Sequence, residues 1–131
     1  MPGKIEFFTP PNTMSPIGPY NHIAKTGEFI TIGATAGIDP ATGRLAGPDI
    51  TSQTVQIIEA FETMLTSVGS DLAHIIHITV FLKDMADFEA MNAAYESIIG
   101  SRKPARTAIA VTDLPKPGAL LTMNLTAVTA A

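Results

Sequence analysis

The run Ile75-Ile76-His77-Ile78-Thr79-Val80-Phe81-Leu82 constrains the fold more than any other stretch. Its β-branched density predicts a strand, because branched side chains suit a pleated surface and lose rotamer freedom in a helix. Both faces of the run are largely apolar, which predicts a central strand. His77 interrupts it and His74 precedes it. Their spacing suits a helix face, so on a strand they are read as hydrogen-bonded or solvated histidines and not as a metal pair.

Two helical patterns flank this strand. Ile50, Thr54, Ile57, Phe61, Met64, Leu65 and Val68 recur at helical spacing, with Asp49 placed to cap the start and Gly69 to stop the end. A second stripe holds Phe88, Met91, Tyr95, Ile98 and Ile99, opened near Asp87 and closed by Gly100. Residues 4–8 read as a short strand. Residues 21–24 and 29–34 read as a hairpin across Thr26-Gly27-Glu28. Residues 37–47 read as a loop, with Asp39-Pro40-Ala41-Thr42-Gly43 as its turn. Residues 119–128 alternate apolar and polar, which predicts a final strand with one buried face. The order predicts an α+β domain, a mixed sheet with two helices packed on one face. Nothing in the chain supplies a third layer, so the second sheet face is expected to be covered by other copies.

Length and charge narrow the function. The chain has 131 residues, which predicts a single domain over residues 1–131. Only 15% of residues are charged, well below the usual quarter, as in a protein that hides surface in an oligomer. The net charge of −4 and the lack of any basic run make nucleic acid an unfavourable partner. There is no cysteine, so disulfides, thiolate metal sites and cysteine nucleophiles are excluded. No apolar run is long enough to cross a membrane, and residues 1–6 have no apolar signal core; a cytoplasmic protein is expected.

The chemistry is sought in Lys103-Pro104-Ala105-Arg106-Thr107, where an arginine opens an apolar strand directly after a proline. A guanidinium is a planar fork that fits a carboxylate or phosphate. Arg106 is therefore either an anion anchor or a strand-edge arginine whose head reaches water. Four prolines keep residues 9–19 irregular, and Ile17-Gly18-Pro19-Tyr20 ends the segment so as to deliver Tyr20 to a defined place or simply half-bury it. Asn92 lies within the second apolar stripe, where a buried amide has to be hydrogen-bonded, either to a loop or in a cleft. Gly33 weakens its strand and lets another group approach the backbone.

Ile17-Gly18-Pro19-Tyr20, the strand and turn through Gly43, the Phe88–Tyr95 helix piece and Pro104-Ala105-Arg106-Thr107 occur in an order and spacing that resemble the RidA family, also called YjgF or L-PSP. The resemblance spans essentially the whole chain. It implies a chorismate-mutase-like fold, a homotrimer and sites in clefts between subunits. It implies hydrolytic deamination of enamine and imine intermediates, 2-iminobutanoate and 2-iminopropanoate among them, to 2-oxo acids and ammonia, with no cofactor. Arg106 and Tyr20 would be the catalytic pair, and Asn92, Gly33, Ala108 and Thr122 would complete the substrate site. Three positions depart from the family pattern. Thr122 stands where a glutamate is thought to position water, Gly33 where a serine is found, and Ala108 where a cysteine is common. Threonine is no general base near neutral pH. The expected function is imine hydrolysis, with a non-catalytic carboxylate-binding or regulatory trimer as the alternative and an endoribonuclease third.

Overall fold

The computed structural model describes residues 3–130. Six strands form one mixed sheet in the order β1-β2-β3-β8-β6-β7. They are β1 (Glu6–Phe8), β2 (Ile23–Thr26), β3 (Phe29–Ala36), β6 (Ile75–Leu82), β7 (Ala105–Ala110) and β8 (Leu121–Val128). Every pairing is antiparallel except β6 with β7. That parallel step requires a crossover, and α2 (Phe88–Ile99) supplies it. The strand richest in branched residues, β6, does lie between two partners, β8 and β7.

Helix α1 (Ile50–Ser67) begins where the capping pattern placed it. The Asp49 side chain accepts a hydrogen bond from the Ser52 amide, and Gly69 leaves the helix with φ +80. Ile57, Ile58, Phe61, Met64 and Leu65 of this helix are fully enclosed. They meet Ile78, Val80 and Leu82 of β6 and Leu121, Met123 and Leu125 of β8 in one core between helices and sheet. At about 25 cal/mol per Å² of apolar surface, this layer is the main source of stability.

The opposite face of the sheet has no helical cover. Phe7, Phe29 and Ile109 point out from it, each more than two-fifths exposed. His77, Thr79 and Phe81 share that face and are half-buried. The expectation that β6 is apolar on both sides is thus met on the core side, with a mixed surface on the other.

Local details correct or refine the sequence expectation in three places. Residues 37–47 are not loop throughout: β4 (Ile38–Asp39) and β5 (Arg44–Leu45) form a small hairpin. The Gly43 amide donates to the Asp39 carbonyl at 2.8 Å, and the Ala41 amide to the Asp39 carboxylate at 2.9 Å, closing its turn. Asp87 occupies the cap position of α2 without making a side-chain cap bond. Asp84 caps instead the short 3₁₀ turn that leads into the helix, accepting from the Ala86 amide at 2.9 Å. Finally, Gly33 sits in a register shift of β3 against β8, and open space lies where its Cβ would be. None of the described residues makes the close approach that Gly33 permits.

Candidate functional site

Strand register decides where each candidate residue points. Arg106 is in register with Ile78, so it lies on the helix-covered face of β7, the edge strand. Helix α2 runs beside that edge. The Arg106 guanidinium stands over the Tyr95 ring at 4.9 Å from its centroid and near the Phe88 ring at 5.8 Å. Its Nη1 is 4.0 Å from the Met91 sulfur. No carboxylate pairs with Arg106 among the described residues. It is a half-buried cation held by aromatic faces, and apart from the Nη1 contact to the Met91 sulfur its donors have no partner among the described residues.

Those donors border a cavity of about 340 Å³ that Asn92, Tyr95, Glu96, Lys103 and Pro104 also line. Asn92 thus lines a cleft, and no hydrogen bond among the described residues ties its side chain to a loop. Its Oδ1 and the Tyr95 hydroxyl are buried without a protein partner. Burial pushes the Tyr95 phenol above its usual range, and the nearby Arg106 charge works against that rise. Glu96 is held at the cavity mouth by Lys103, 3.6 Å away. The cavity therefore offers net positive charge, as expected around a small anion, while the two unpaired polar atoms are buried behind its wall.

A second cavity, of about 500 Å³, opens on the other face of the sheet. Tyr20, Gly33 and Thr122 line it, with Met14, Ala36 and Pro115 as apolar walls. Thr122 is in register with Phe81 and Ala36 and is nearly enclosed. Tyr20 is placed by its own loop. Its amide donates to the Gly18 carbonyl, its hydroxyl accepts from the Ile17 amide at 3.2 Å, and its ring meets His22 edge-on at 5.9 Å. His22 is in turn fixed by the Met14 carbonyl at 2.6 Å. No carboxylate lines this cavity among the described residues.

Within one chain the six candidates therefore divide. Arg106 and Asn92 share one cavity, Tyr20, Gly33 and Thr122 share another, and Ala108 packs against the core from β7. Two of the three histidines stand apart from both cavities: His74 pairs with Asp71 at 2.6 Å, and His77 contacts the Thr107 hydroxyl at 3.1 Å. The sequence pattern shows Tyr95 only as part of the apolar stripe. The available signal was its spacing, three residues beyond Asn92 on one helix face.

Comparison with known proteins places this arrangement. The family model described as Endoribonuclease L-PSP matches residues 11–129. The chain belongs to that family, the RidA/YjgF family its motifs resemble. A RutC family protein of Pyrococcus horikoshii is 44% identical over 105 residues, 80% of this chain and 83% of the relative. A goat protein named 2-iminobutanoate/2-iminopropanoate deaminase is 34% identical over 102 residues, 78% of this chain and 74% of the relative. The crystal structure of the YjgF gene product of E. coli superposes with a TM-score of 0.88 at 28% identity, covering 94% of this chain and 98% of that one. The mixed sheet with two helices is thus the fold of this RidA-like family. No helix among the described residues is long and apolar enough to cross a membrane.

Proposed function

We propose that this chain hydrolyses 2-imino acids to 2-oxo acids and ammonia in a cleft assembled between copies of a homotrimer. Water adds to the imine carbon, the nitrogen leaves as ammonia, and the carbon keeps the oxygen. Arg106 clamps the substrate carboxylate with two N–H donors, which presents the neighbouring carbon to water. Asn92 borders the same end of the substrate. Tyr20 and Thr122 contribute hydroxyls from the other half of the cleft. Imines hydrolyse spontaneously, so orientation supplies much of what is needed and no cofactor enters the scheme. The observation that carries this reading is the half-buried, carboxylate-free guanidinium on a cavity wall. The goat relative named 2-iminobutanoate/2-iminopropanoate deaminase and an Arabidopsis thaliana relative named Reactive Intermediate Deaminase A support it.

A second reading is a trimer that binds a small carboxylate without transforming it. The absence of a carboxylate from the Thr122 cavity favours it. Generating 2-iminobutanoate with a threonine dehydratase, and following its decay with and without the protein, separates the two. Arg106→Ala serves as control, with light scattering to compare the assembled mass with three times the 13.8 kDa chain. Acceleration that is lost in the variant is the expected result. A background rate combined with Arg106-dependent binding of 2-oxobutanoate would establish the second reading.

A further inference from the structure

The way Arg106 is held has a chemical purpose of its own. Phe88, Met91 and Tyr95 occupy successive positions on one face of α2, and all three contact the guanidinium. One rigid element therefore sets its orientation. A carboxylate partner would fix the group as well, but would neutralise it and occupy its donors. A ring attracts a cation through its quadrupole and takes up none of the N–H groups along the guanidinium edge. Glu96, the carboxylate lining the same cavity, is engaged by Lys103 at 3.6 Å.

We propose that Phe88 and Tyr95 are positioning residues: their rings hold Arg106 in a binding orientation while leaving its charge and its N–H donors free for an anionic ligand. This rests on the reading of Arg106 as the carboxylate anchor. Among the described residues the Tyr95 hydroxyl has no partner that would keep the ring in place. The ring, not the hydroxyl, is what matters here, and the Tyr95→Phe and Tyr95→Leu variants separate the two.

The test is calorimetric titration of the intact oligomer with 2-oxobutanoate, with KM and kcat for imine hydrolysis measured alongside. Tyr95→Leu is expected to weaken 2-oxobutanoate binding about tenfold, the size of a partly desolvated cation–π contact. KM should rise in parallel and kcat/KM fall by at least the same factor, because the anchor both binds the carboxylate and orients the carbon. Tyr95→Phe should bind within about twofold of the parent, a rescue that a general packing defect would not give. Phe88→Leu alters a half-buried ring at the helix start and carries the test if Tyr95→Leu does not assemble. Unchanged binding in the leucine variants, with Arg106→Ala still abolishing it, overturns the clamp and leaves the anchor standing. Equal losses in Tyr95→Phe and Tyr95→Leu also overturn it, since the hydroxyl would then be responsible. Unchanged binding in Arg106→Ala removes the anchor and the clamp together.

Discussion

Gln53→Leu should destabilise the fold by about 3 kcal/mol, through three hydrogen bonds that one amide makes across the chain. Gln53 is fully enclosed in α1. Its Nε2 donates to the Gly47 carbonyl at 2.9 Å and the Gly118 carbonyl at 3.2 Å, and its Oε1 accepts from the Leu120 amide at 2.8 Å. One side chain thus joins the first helix to the exit of the small hairpin and to the segment entering β8. Leucine fills a similar volume but leaves the half-buried Leu120 amide and Gly47 carbonyl and the exposed Gly118 carbonyl without this partner. Each orphaned group costs about 1–3 kcal/mol, and the added apolar burial returns part of the sum. For a chain of this length, each kcal/mol corresponds to a fall in Tm of about 4 °C, so about 12 °C is expected. Scanning calorimetry at one fixed protein concentration is the assay, because assembly shifts apparent stability by mass action. Exposed Glu59→Ala serves as control and should change stability by less than about 0.5 kcal/mol. A Gln53→Leu loss below about 1 kcal/mol would show that the three segments hold one another without the amide, and would refute the reasoning.

Two further outcomes follow from the same geometry. Gly37→Ala would place a methyl carbon 2.6 Å from the Gln53 carbonyl oxygen and 2.8 Å from its Cα, both backbone atoms. A loss of about 1–3 kcal/mol is expected in urea denaturation, and a parental midpoint would mean that the β4 approach to α1 yields freely. Thr122→Glu should raise imine hydrolysis about tenfold or more if the missing carboxylate limits the reaction. A folded variant with no gain in the dehydratase-coupled assay would show a cleft shaped for a different substrate.

Local periodicity made most of the secondary structure legible. The branched run of β6, the stripes of α1 and α2 and the alternation of β8 each repeat often enough to reveal their element. The hairpin of β4 and β5 has two residues per strand, too few for a period to exist, and its turn signal alone was visible. Tyr95 was legible as core and not as a clamp, because an aromatic at helical spacing looks the same whether a methyl or a guanidinium lies over it. Membership of the RidA family was carried by short motifs whose residues sit on different elements.

Register was the part that sequence could not supply, and it bears directly on the assembly. Arg106 pairs with Ile78 and Thr122 pairs with Phe81. Ile78 is fully enclosed beneath the helices, whereas Phe81 lies on the face without helical cover. Successive strand residues alternate between faces, so Arg106 and Thr122 lie on opposite sides of one sheet. Two side chains so placed do not meet within a chain without passing around an edge. Arg106 lies on that edge, in β7. A cleft that uses both Arg106 and the Tyr20–Thr122 surface therefore has to be built from two copies, with the edge of one against the open face of the next. Phe29 and Ile109, exposed on that open face, are the groups such packing would cover. Replacing Ile109 with lysine should then dissociate the assembly and abolish hydrolysis together, although Ile109 lines neither cavity. A monomeric Ile109→Lys variant that still hydrolysed 2-iminobutanoate at the parental rate would refute the shared cleft.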